Sequence, residues 1–400
     1  MPGSHKRFRI AQMNRILGDI AWTFLKLGLT SFGGPIAHLG YFRQELVVRR
    51  RWVGDETFAQ ILALSQFLPG PASSQAGFAL GWQRGGLPGA LVAVVCFTLP
   101  SAALMVGLAA ILGTAPPDTG LPGGLIAGLK VTAAAVVAHA VLGMARSLAP
   151  DGPRAAIALT ALAALSLMPM TAGAQVAVIT GGGLAGLALG VGAPGPQGQT
   201  LRGPSRRGAV ACLAVFALLL VGLPLLAGAG TGWRLADLFY RAGALVFGGG
   251  HVVLPLLAAG SQGLVPEASI LAGYGAAQAM PGPLFTLAGW LGQVAAGLPG
   301  AAIGLVMIFL PGFLLMAAAL PFWAAISARP WARHLLAGAN AAVVGILTIA
   351  FYDPVMTAGV SRRADFALAV ILFLMLARWN RPAWEVVATG AAGGMILSLA

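Results

Sequence analysis

Two basic side chains stand inside apolar stretches of this sequence, where they could bind an anion. Lys26 lies in FLKLGLTSFGG (24–34) and Arg241 lies in FYRAGALVFGG (239–249). Burying a charge near the middle of a bilayer costs at least about 2.5 kcal/mol, so each cation needs a counter-charge. The nearest carboxylates, Asp19 and Asp237, lie closer to the ends of these stretches. We therefore expect the counter-charge to arrive from solution, as an anionic cargo.

Two Pro-Gly-Pro triplets could add uncharged donors to the same site. They occur in SQFLPGP (65–71) and AQAMPGP (277–283), as Pro69, Gly70 and Pro71 and as Pro281, Gly282 and Pro283. Such a triplet breaks a helix, and the helix that starts after it has unpaired N–H groups at its positive end. Hydroxyl and amide side chains flank the triplets at Ser73, Ser74, Thr286, Gln66 and Gln278. The two glutamines could bind the anion or only satisfy carbonyl groups that the prolines leave free.

Glycine motifs form a second pair of breaks in the apolar stretches. These breaks fall on Phe32, Gly33 and Gly34 and on Gly248 and Gly249. His38 and His251 follow them and could carry a coupling proton, because histidine titrates near neutral pH. The two histidines are not at equivalent positions, and a single histidine inside a membrane is as often structural.

The composition is that of an all-α polytopic membrane protein. Of 400 residues, 58% are hydrophobic and 9% are charged, against about a quarter charged in soluble domains. The net charge of +13 follows from arginines in cytoplasmic loops, and no basic face interleaved with aromatic residues indicates nucleic acid as a partner. The apolar stretches hold no nucleophile with a base and no metal-ligand set, so we expect neither an enzyme nor a cofactor.

The sequence is an internal duplication. The glycine motifs, the proline triplets and the pair GGLPGALVAVVCFTLP (85–100) and AGLPGAAIGLVMIFLP (296–311) recur in the same order at offsets of 215, 212 and 211 residues. We divide the chain into a first repeat (1–200), a linker loop with a connecting helix (201–234) and a second repeat (235–400). Lys26 then corresponds to Arg241, and Gln66 to Gln278.

The charge pattern predicts where these breaks lie in the membrane. Thirteen apolar segments can be counted, and about 9–13 membrane segments are expected. If all of them crossed, the four arginines of RQELVVRRRW (43–52) would lie outside, against the preference for positive charge in the cytoplasm. Helical hairpins at 17–42 and 57–83, and their copies at 235–260 and 268–294, remove this conflict. The hairpins would then enter from opposite sides, as inverted repeats with a cytoplasmic N-terminus, although proline-kinked helices that cross fully are the alternative.

The stretch FLKLGLTSFGGPIAHLGYFRQELVVRRRWVGDETFAQILALSQFLPGPASSQ (24–75), with the second copy of its motifs, resembles the long-chain, two-domain chromate ion transporter family. The resemblance spans essentially the whole chain. It implies export of chromate across the bacterial inner membrane, driven by the proton motive force as in an antiporter, which confers chromate resistance, with sulfate as a similar oxyanion. The family's motif falls on Phe32, Gly33, Gly34, Pro35, Gln66, Pro69, Gly70 and Pro71. Gly250 replaces the proline in the second copy.

Two other classes of membrane protein remain to be weighed. A passive anion channel could use the same inverted repeats and helix ends, and the sequence does not separate coupled transport from leak. A transporter of sulfate or another oxyanion would need the same donors. A scaffold gives no reason for basic residues beside broken helices. The oligomeric state stays open, with a homodimer among the alternatives.

Overall fold

The computed structural model describes residues 3–32, 34–112, 120–168, 171–192, 201–247 and 250–398, and none of these residues lies in a β-strand. The α-helices are α1 (Gly3–Thr30), α2 (Gly34–Phe42), α3 (Asp55–Phe67), α4 (Ala72–Leu112), α5 (Gly120–Leu148), α6 (Gly152–Ser166), α7 (Ala172–Leu189), α8 (Arg206–Leu226), α9 (Thr231–Leu245), α10 (Val253–Gly260), α11 (Glu267–Ala279), α12 (Leu287–Ala319), α13 (Trp323–Ser327), α14 (Pro330–Ala350), α15 (Thr357–Gly359), α16 (Arg363–Ala377) and α17 (Ala383–Leu397).

Five helical stretches of the described chain are long and apolar enough to cross a membrane. They are Ala72–Leu112, Gly123–Leu148, Arg206–Ala229, Leu284–Ser327 and Pro330–Gly359. The predicted all-α polytopic fold is therefore confirmed.

The first apolar stretch folds back on itself as a helical hairpin, and helix α1 ends just before Ser31 and Phe32. The rings of Phe24 and Phe42 lie 5.7 Å apart between centroids. Nearer the open end, Asp19 forms an ion pair with Arg50. In one continuous helix, 18 residues would separate the two phenylalanines by about 27 Å, so α1 and α2 must run back to back.

Its copy in the second half folds in the same way. Leu238 of α9 packs against Gly260 of α10. One turn further from the break, the Arg234 guanidinium donates to the carbonyl oxygen of Gln262 at 2.8 Å. Residues at similar distances before and after the glycine motif therefore meet in both halves.

The two Pro-Gly-Pro triplets are also the tips of hairpins. In the second half, the Trp290 indole N–H donates to the Ser269 carbonyl oxygen at 3.0 Å across the turn. In the first half, the Arg84 guanidinium lies 5.4 Å from the ring centroid of Trp52, which precedes α3. The entry and exit of each hairpin thus lie side by side, which decides between hairpins and fully crossing helices.

Helices α4 and α12 each contain a sharp reversal. Gly86 has φ +63° and Gly297 has φ +64°, a left-handed conformation that favours glycine. Beyond each reversal the helix returns along its own first limb, so that Gly81 meets Gly89 and Gly292 meets Gly300. The two halves repeat this geometry at an offset of 211 residues.

The second limbs of α4 and α12 run in opposite directions. After its reversal at 85–86, α4 runs alongside the second half. Its Ser101 lies beside Gly282, and its Val106 lies beside Gly289. From Gly289, α12 continues to its own reversal. The reversals of α4 and α12 therefore lie at opposite ends of the paired helices.

Helices α5 and α7 of the first half pack against helices of the second half through small residues. α5 packs against α17, with Gly128 against Gly390, and α14 packs against α7, with Gly338 against Gly182. Glycines at such contacts let helix backbones approach closely, which is a common basis of helix association in membranes. Each half thus completes the packing of the other.

Candidate functional site

The four breaks meet in the interior through two hydrogen bonds between the halves. The Gly70 N–H donates to the Val246 carbonyl oxygen at 2.7 Å, and the Gly282 N–H donates to the Ser31 carbonyl oxygen at 2.9 Å. Val246 corresponds to Ser31, and Gly282 corresponds to Gly70, at the offsets of the duplication. Each proline-rich turn is therefore bonded to the glycine break of the other half.

Both turns require glycine for two reasons. Gly70 has φ +124° and Gly282 has φ +94°, where other residues are strained. A Cβ on Gly70 would lie 3.1 Å from the Gly312 Cα, and one on Gly282 would lie 2.9 Å from the Ser101 Oγ. The turn glycines thus allow a close approach to the long helix of the other half.

Buried polar side chains surround the first turn. Ser73 and Ser74 stand in the first turn of α4, where the first amide groups have no helical carbonyl to bond. Gln75 follows them, and its Nε2 donates to the carbonyl oxygens of Pro69 at 2.8 Å and Gly312 at 3.1 Å. Sequence reasoning missed Gln75, although its place one turn after Pro71 could have indicated it. This side chain ties the turn to the second half.

Several of these buried polar atoms have no hydrogen-bond partner among the described residues. Near the four breaks they are Ser31 Oγ, Ser74 Oγ, Gln75 Oε1, Gln278 Nε2 and both ring nitrogens of His38, whose ring lies beside the Ser31 backbone. An unsatisfied buried polar group costs about 1–3 kcal/mol, so a set of them in one place indicates room for a polar ligand or water. Hydroxyl, amide and imidazole groups can all donate to an oxyanion.

The two predicted cations do not belong to this buried cluster. Lys26 is exposed on α1, and Arg241 is partly exposed on α9. Each stands five residues before its break, about 7 Å along the helix axis. Arg241 also forms an ion pair with Asp237 at 2.7 Å. The expectation that Arg241 lacks an acidic partner is therefore wrong, because a spacing of four residues puts both side chains on one helix face.

The two glutamines before the turns have different surroundings. Gln66 is exposed, whereas Gln278 is partly buried. Thr286, after the second turn, is buried, and its hydroxyl donates to the Pro283 carbonyl oxygen at 2.9 Å. In the glycine breaks, Phe32 is partly buried and Gly34 has φ +79°. Gly33, Gly248 and Gly249 lie outside the described residues.

The two histidines also differ. The His38 ring is buried and lies edge-on to Phe97, with 5.6 Å between centroids. His251 is partly exposed, and its Nδ1 lies 2.6 Å from the hydroxyl oxygen of the fully buried Tyr274. Tyr274, which sequence reasoning missed, gives His251 a side-chain hydrogen-bond partner, whereas the His38 ring lies beside the Ser31 backbone.

Two cavities flank the short helix α10. The larger, of about 650 Å³, has Arg234, Asp237 and Arg241 in its wall and extends along α9 to Leu245, next to Val246. The smaller, of about 380 Å³, has Glu267 and Asp353 in its wall. A basic and an acidic cavity thus lie on opposite faces of one helix. In the described part of the chain, no cluster of three or more His, Cys, Asp or Glu side chains could hold a metal ion.

Comparison with known proteins assigns this arrangement to a family. A family model described as "Chromate transporter" matches residues 18–187 and 233–395, one stretch in each half. The chain belongs to the chromate transporter family. Members are transport proteins, so the chain is a multi-pass membrane transporter and not an enzyme.

Individual relatives of the chain agree with this assignment. A probable chromate transport protein of Synechococcus elongatus is 28% identical over 344 residues, covering 83% of this chain and 82% of its own length. Chromate transport proteins of Cupriavidus metallidurans and Pseudomonas aeruginosa are 27% and 29% identical, over 83% and 81% of this chain and 81% and 77% of their own lengths. No solved structure matches the chain.

Proposed function

We propose that this protein exports chromate across the bacterial inner membrane as a secondary transporter driven by the proton motive force, and so confers chromate resistance. The observation that carries the proposal is the reciprocal pair of hydrogen bonds that joins the four breaks at Gly70 and Gly282. Backbone that leaves the helix inside a membrane needs protein or a water-filled cavity around it. In transporters, such broken helices surround the substrate.

The donors at the breaks fit a tetrahedral dianion. Ser31, Ser74, Gln75 and His38 carry buried polar atoms without partners, and the first amides of α4 point the same way as its positive dipole end. Together these groups would replace the water around the oxyanion. Arg241, in the wall of the larger cavity, would draw the anion towards the breaks. Sulfate has the same shape and charge as chromate, so it would compete.

The membrane potential supplies enough energy for export. Each elementary charge that crosses gains about 2.3 kcal/mol per 100 mV, so a dianion gains about 4.6 kcal/mol when it leaves a negative interior. Export of chromate is therefore electrically downhill. The electrical component of the proton motive force suffices as the driver.

The two halves act as inverted repeats in this proposal. The opposed reversals of α4 and α12 support this. We call the open end of the two hairpins in a half, away from their tips, the mouth of that half. Each mouth would then face one side of the membrane. Together with the arginines of 43–52, they support a cytoplasmic N-terminus and a cytoplasmic mouth for the first half. The repeats would be residues 1–200 and 235–400, joined through 201–234.

Inside-out membrane vesicles test the proposal. Labelled chromate should accumulate in vesicles energised by respiration, unlabelled sulfate should reduce the uptake, and an uncoupler should abolish it. Vesicles without the protein give the background. Equal uptake with and without the protein would refute chromate export.

Counterflow separates a transporter from a passive channel. Vesicles loaded with unlabelled chromate and diluted into labelled chromate, at zero membrane potential, should take up label above its equilibrium level for a time. A carrier produces this overshoot because the unlabelled chromate inside occupies most of the sites and so slows the exit of the label. A channel would only equilibrate the label.

A further inference from the structure

We infer that His251, Tyr274 and Gln278 form a proton-sensitive chain that presents the Gln278 amide to the anion at the second proline-rich turn, with the acidic cavity beside α10 as the proton's route. The inference deepens the proposed function and rests on an oxyanion binding at the breaks. Its ligands are a proton and a tetrahedral oxyanion.

The three side chains are adjacent. His251 Nδ1 and the Tyr274 hydroxyl oxygen are 2.6 Å apart, and the Tyr274 side chain is fully buried. Gln278 stands one helical turn further along α11, with its side chain at the Tyr274 hydroxyl. Apart from this contact with Tyr274, its buried Nε2 has no hydrogen-bond partner among the described residues. The hydrogen-bonded series thus ends, two residues before Met280, in an amide with a donor to spare.

The acidic cavity leads to the other end of this chain. Its wall includes Pro255, one turn after His251, and Ile270, one turn before Tyr274. Glu267 and Asp353 stand in the same wall. Carboxylates attract protons and water, so this cavity offers a path from the mouth of the second half to His251.

Protonation of His251 fixes the direction of the hydrogen bonds. With both ring nitrogens protonated, Nδ1–H can only donate to the Tyr274 oxygen. The tyrosine hydroxyl then donates to the Gln278 oxygen, which leaves both amide hydrogens for the anion. With neutral His251, Nδ1 can accept from the hydroxyl, whose oxygen then accepts from the Gln278 amide. Proton binding therefore releases a donor for the anion.

Other charges near His251 act on this equilibrium. The turn at 250–252 and α10 pack against α7, α9, α11 and α14. The charged or titratable groups on these helices, together with His139 on α5, are Arg234, Asp237, Tyr240, Arg241, Glu267, Tyr274, Arg333, His334 and His139. Of these groups, Arg241 is already paired with Asp237. The carboxylates Glu267 and Asp353 stand in the wall of the acidic cavity.

Thermodynamic linkage makes the coupling between proton binding and anion binding reciprocal. If a proton on His251 strengthens anion binding, a bound anion must strengthen proton binding by the same factor. The proton would then travel with the anion and leave a net charge of −1, which the membrane potential still drives outward, whereas a pH gradient that is acid outside opposes the exit of the proton. An antiporter that exchanges the two would need the opposite linkage.

Binding to the purified full-length protein in nanodiscs tests the inference. Sulfate is the main probe because it stays a dianion near neutral pH, and chromate at alkaline pH is the second. We expect the sulfate affinity of the wild type to fall by up to tenfold per pH unit as the pH rises through the pKa of His251. Calorimetry in two buffers of different ionisation enthalpy should show up to one proton taken up for each anion bound.

Two variants test the hydrogen-bonded series of His251, Tyr274 and Gln278. Tyr274→Phe removes only the hydroxyl, and His251→Asn keeps an amide near Nδ1 without a titratable group. Both should bind sulfate about 5- to 10-fold more weakly than the wild type at the acid end of its pH profile, with no pH dependence and no proton uptake. Tyr240→Phe is the matched control, because Tyr240 is equally buried but its hydroxyl donates to the Phe216 carbonyl oxygen at 3.0 Å, facing α8. This control should retain the wild-type pH profile.

Several outcomes would overturn the inference. Retained pH dependence in both variants would show that another group takes up the proton. A wild-type affinity that is independent of pH, or that weakens in acid, would refute the chain and leave oxyanion transport intact. Failure of the wild type to bind either anion would refute the proposed substrate and the inference together. Circular dichroism and thermal unfolding check that each variant is folded.

Discussion

The mouths of the two pairs of hairpins differ far more than their tips. In the first half, Glu45 accepts from Arg49 and Arg50 at 2.8 Å each, and Arg50 also pairs with Asp19. Arg84, at the end of the second hairpin, stands 3.8 Å from Asp19. Ion pairs thus join both hairpins of the first half at the end away from the tips. In the second half, the corresponding region contains the basic and acidic cavities.

The tips of the hairpins are alike in the two halves because the backbone conformation alone determines the turn. A left-handed glycine between two prolines gives the same turn in both halves, whatever side chains stand around it. The mouths consist of side chains, which diverged after the duplication. The difference teaches that the shared fold of the halves brings the four breaks together, whereas the side chains at the open ends of the hairpins differ between the halves.

The largest effect is expected from substituting the turn glycines. Gly70→Ala and Gly282→Ala should each abolish export and destabilise the protein by about 2–3 kcal/mol, from the left-handed φ and the close contacts. Transport in vesicles and thermal unfolding in detergent measure this. Gly107→Ala, with open space around its Cβ position, is the control. A clear difference between Gly70→Ala and Gly282→Ala would break the equivalence of the tips.

Arg241→Ala should reduce chromate export about tenfold or more, because it removes a cation from the wall of the larger cavity. Lys26→Ala should reduce export as well, but less, because Lys26 is exposed and its break is reached from the ion-paired mouth. Initial rates in vesicles, normalised to the inserted protein, measure both. Wild-type export by Arg241→Ala would remove that residue from the anion path.

The ion-paired mouth should have its own pH dependence. Hydrogen bonding to Arg50 lowers the pKa of Glu45 from its ordinary value of 4.5. The ionised carboxylate therefore stabilises the fold above pH 4.5, and this contribution is lost as the pH falls through the lowered pKa. Glu45→Gln should lower Tm at pH 7, and the gap to the wild type should close in acid. An unchanged gap between pH 7 and pH 3 would contradict this account.

The smallest effect is expected from Gln66→Ala. Gln66 is exposed, whereas its counterpart Gln278 has a buried amide without a partner. Export by Gln66→Ala should stay within about twofold of the wild type, since no buried donor is lost. Rates for Gln66→Ala and Gln278→Ala, measured side by side, sharpen the comparison of the two halves. Equal losses would restore the symmetry that the sequence suggests.

Much of the fold follows from local signals. Apolar length marks the helices, and the Pro-Gly-Pro triplets at Pro69–Pro71 and Pro281–Pro283 mark the breaks, since proline removes a donor wherever it stands. The choice of hairpins over kinked helices depends on contacts such as Trp290 with Ser269, which pair residues far apart in sequence. Charge bias favoured hairpins, but only these contacts decide the matter.

The site was less accessible to sequence reasoning. Lys26 and Arg241 attract attention because charges in apolar stretches are rare, yet neither lies in the buried cluster. Tyr274 was missed because an uncharged polar residue in a helix has no distinctive signal, and Gln75 was missed although it stands one turn after Pro71. Their roles come from what stands opposite them: the Gly312 carbonyl oxygen for Gln75 and His251 for Tyr274.

The sequence by itself determined that the chain is a duplicated, helical membrane protein with four interrupted segments, because hydropathy and backbone breaks are properties of neighbouring residues. The tertiary structure alone decided that each proline turn bonds to the glycine break of the other half, and that one mouth is ion-paired while the other contains cavities. These features depend on residues as far apart in the sequence as Ser31 and Gly282, and only packing brings such residues together.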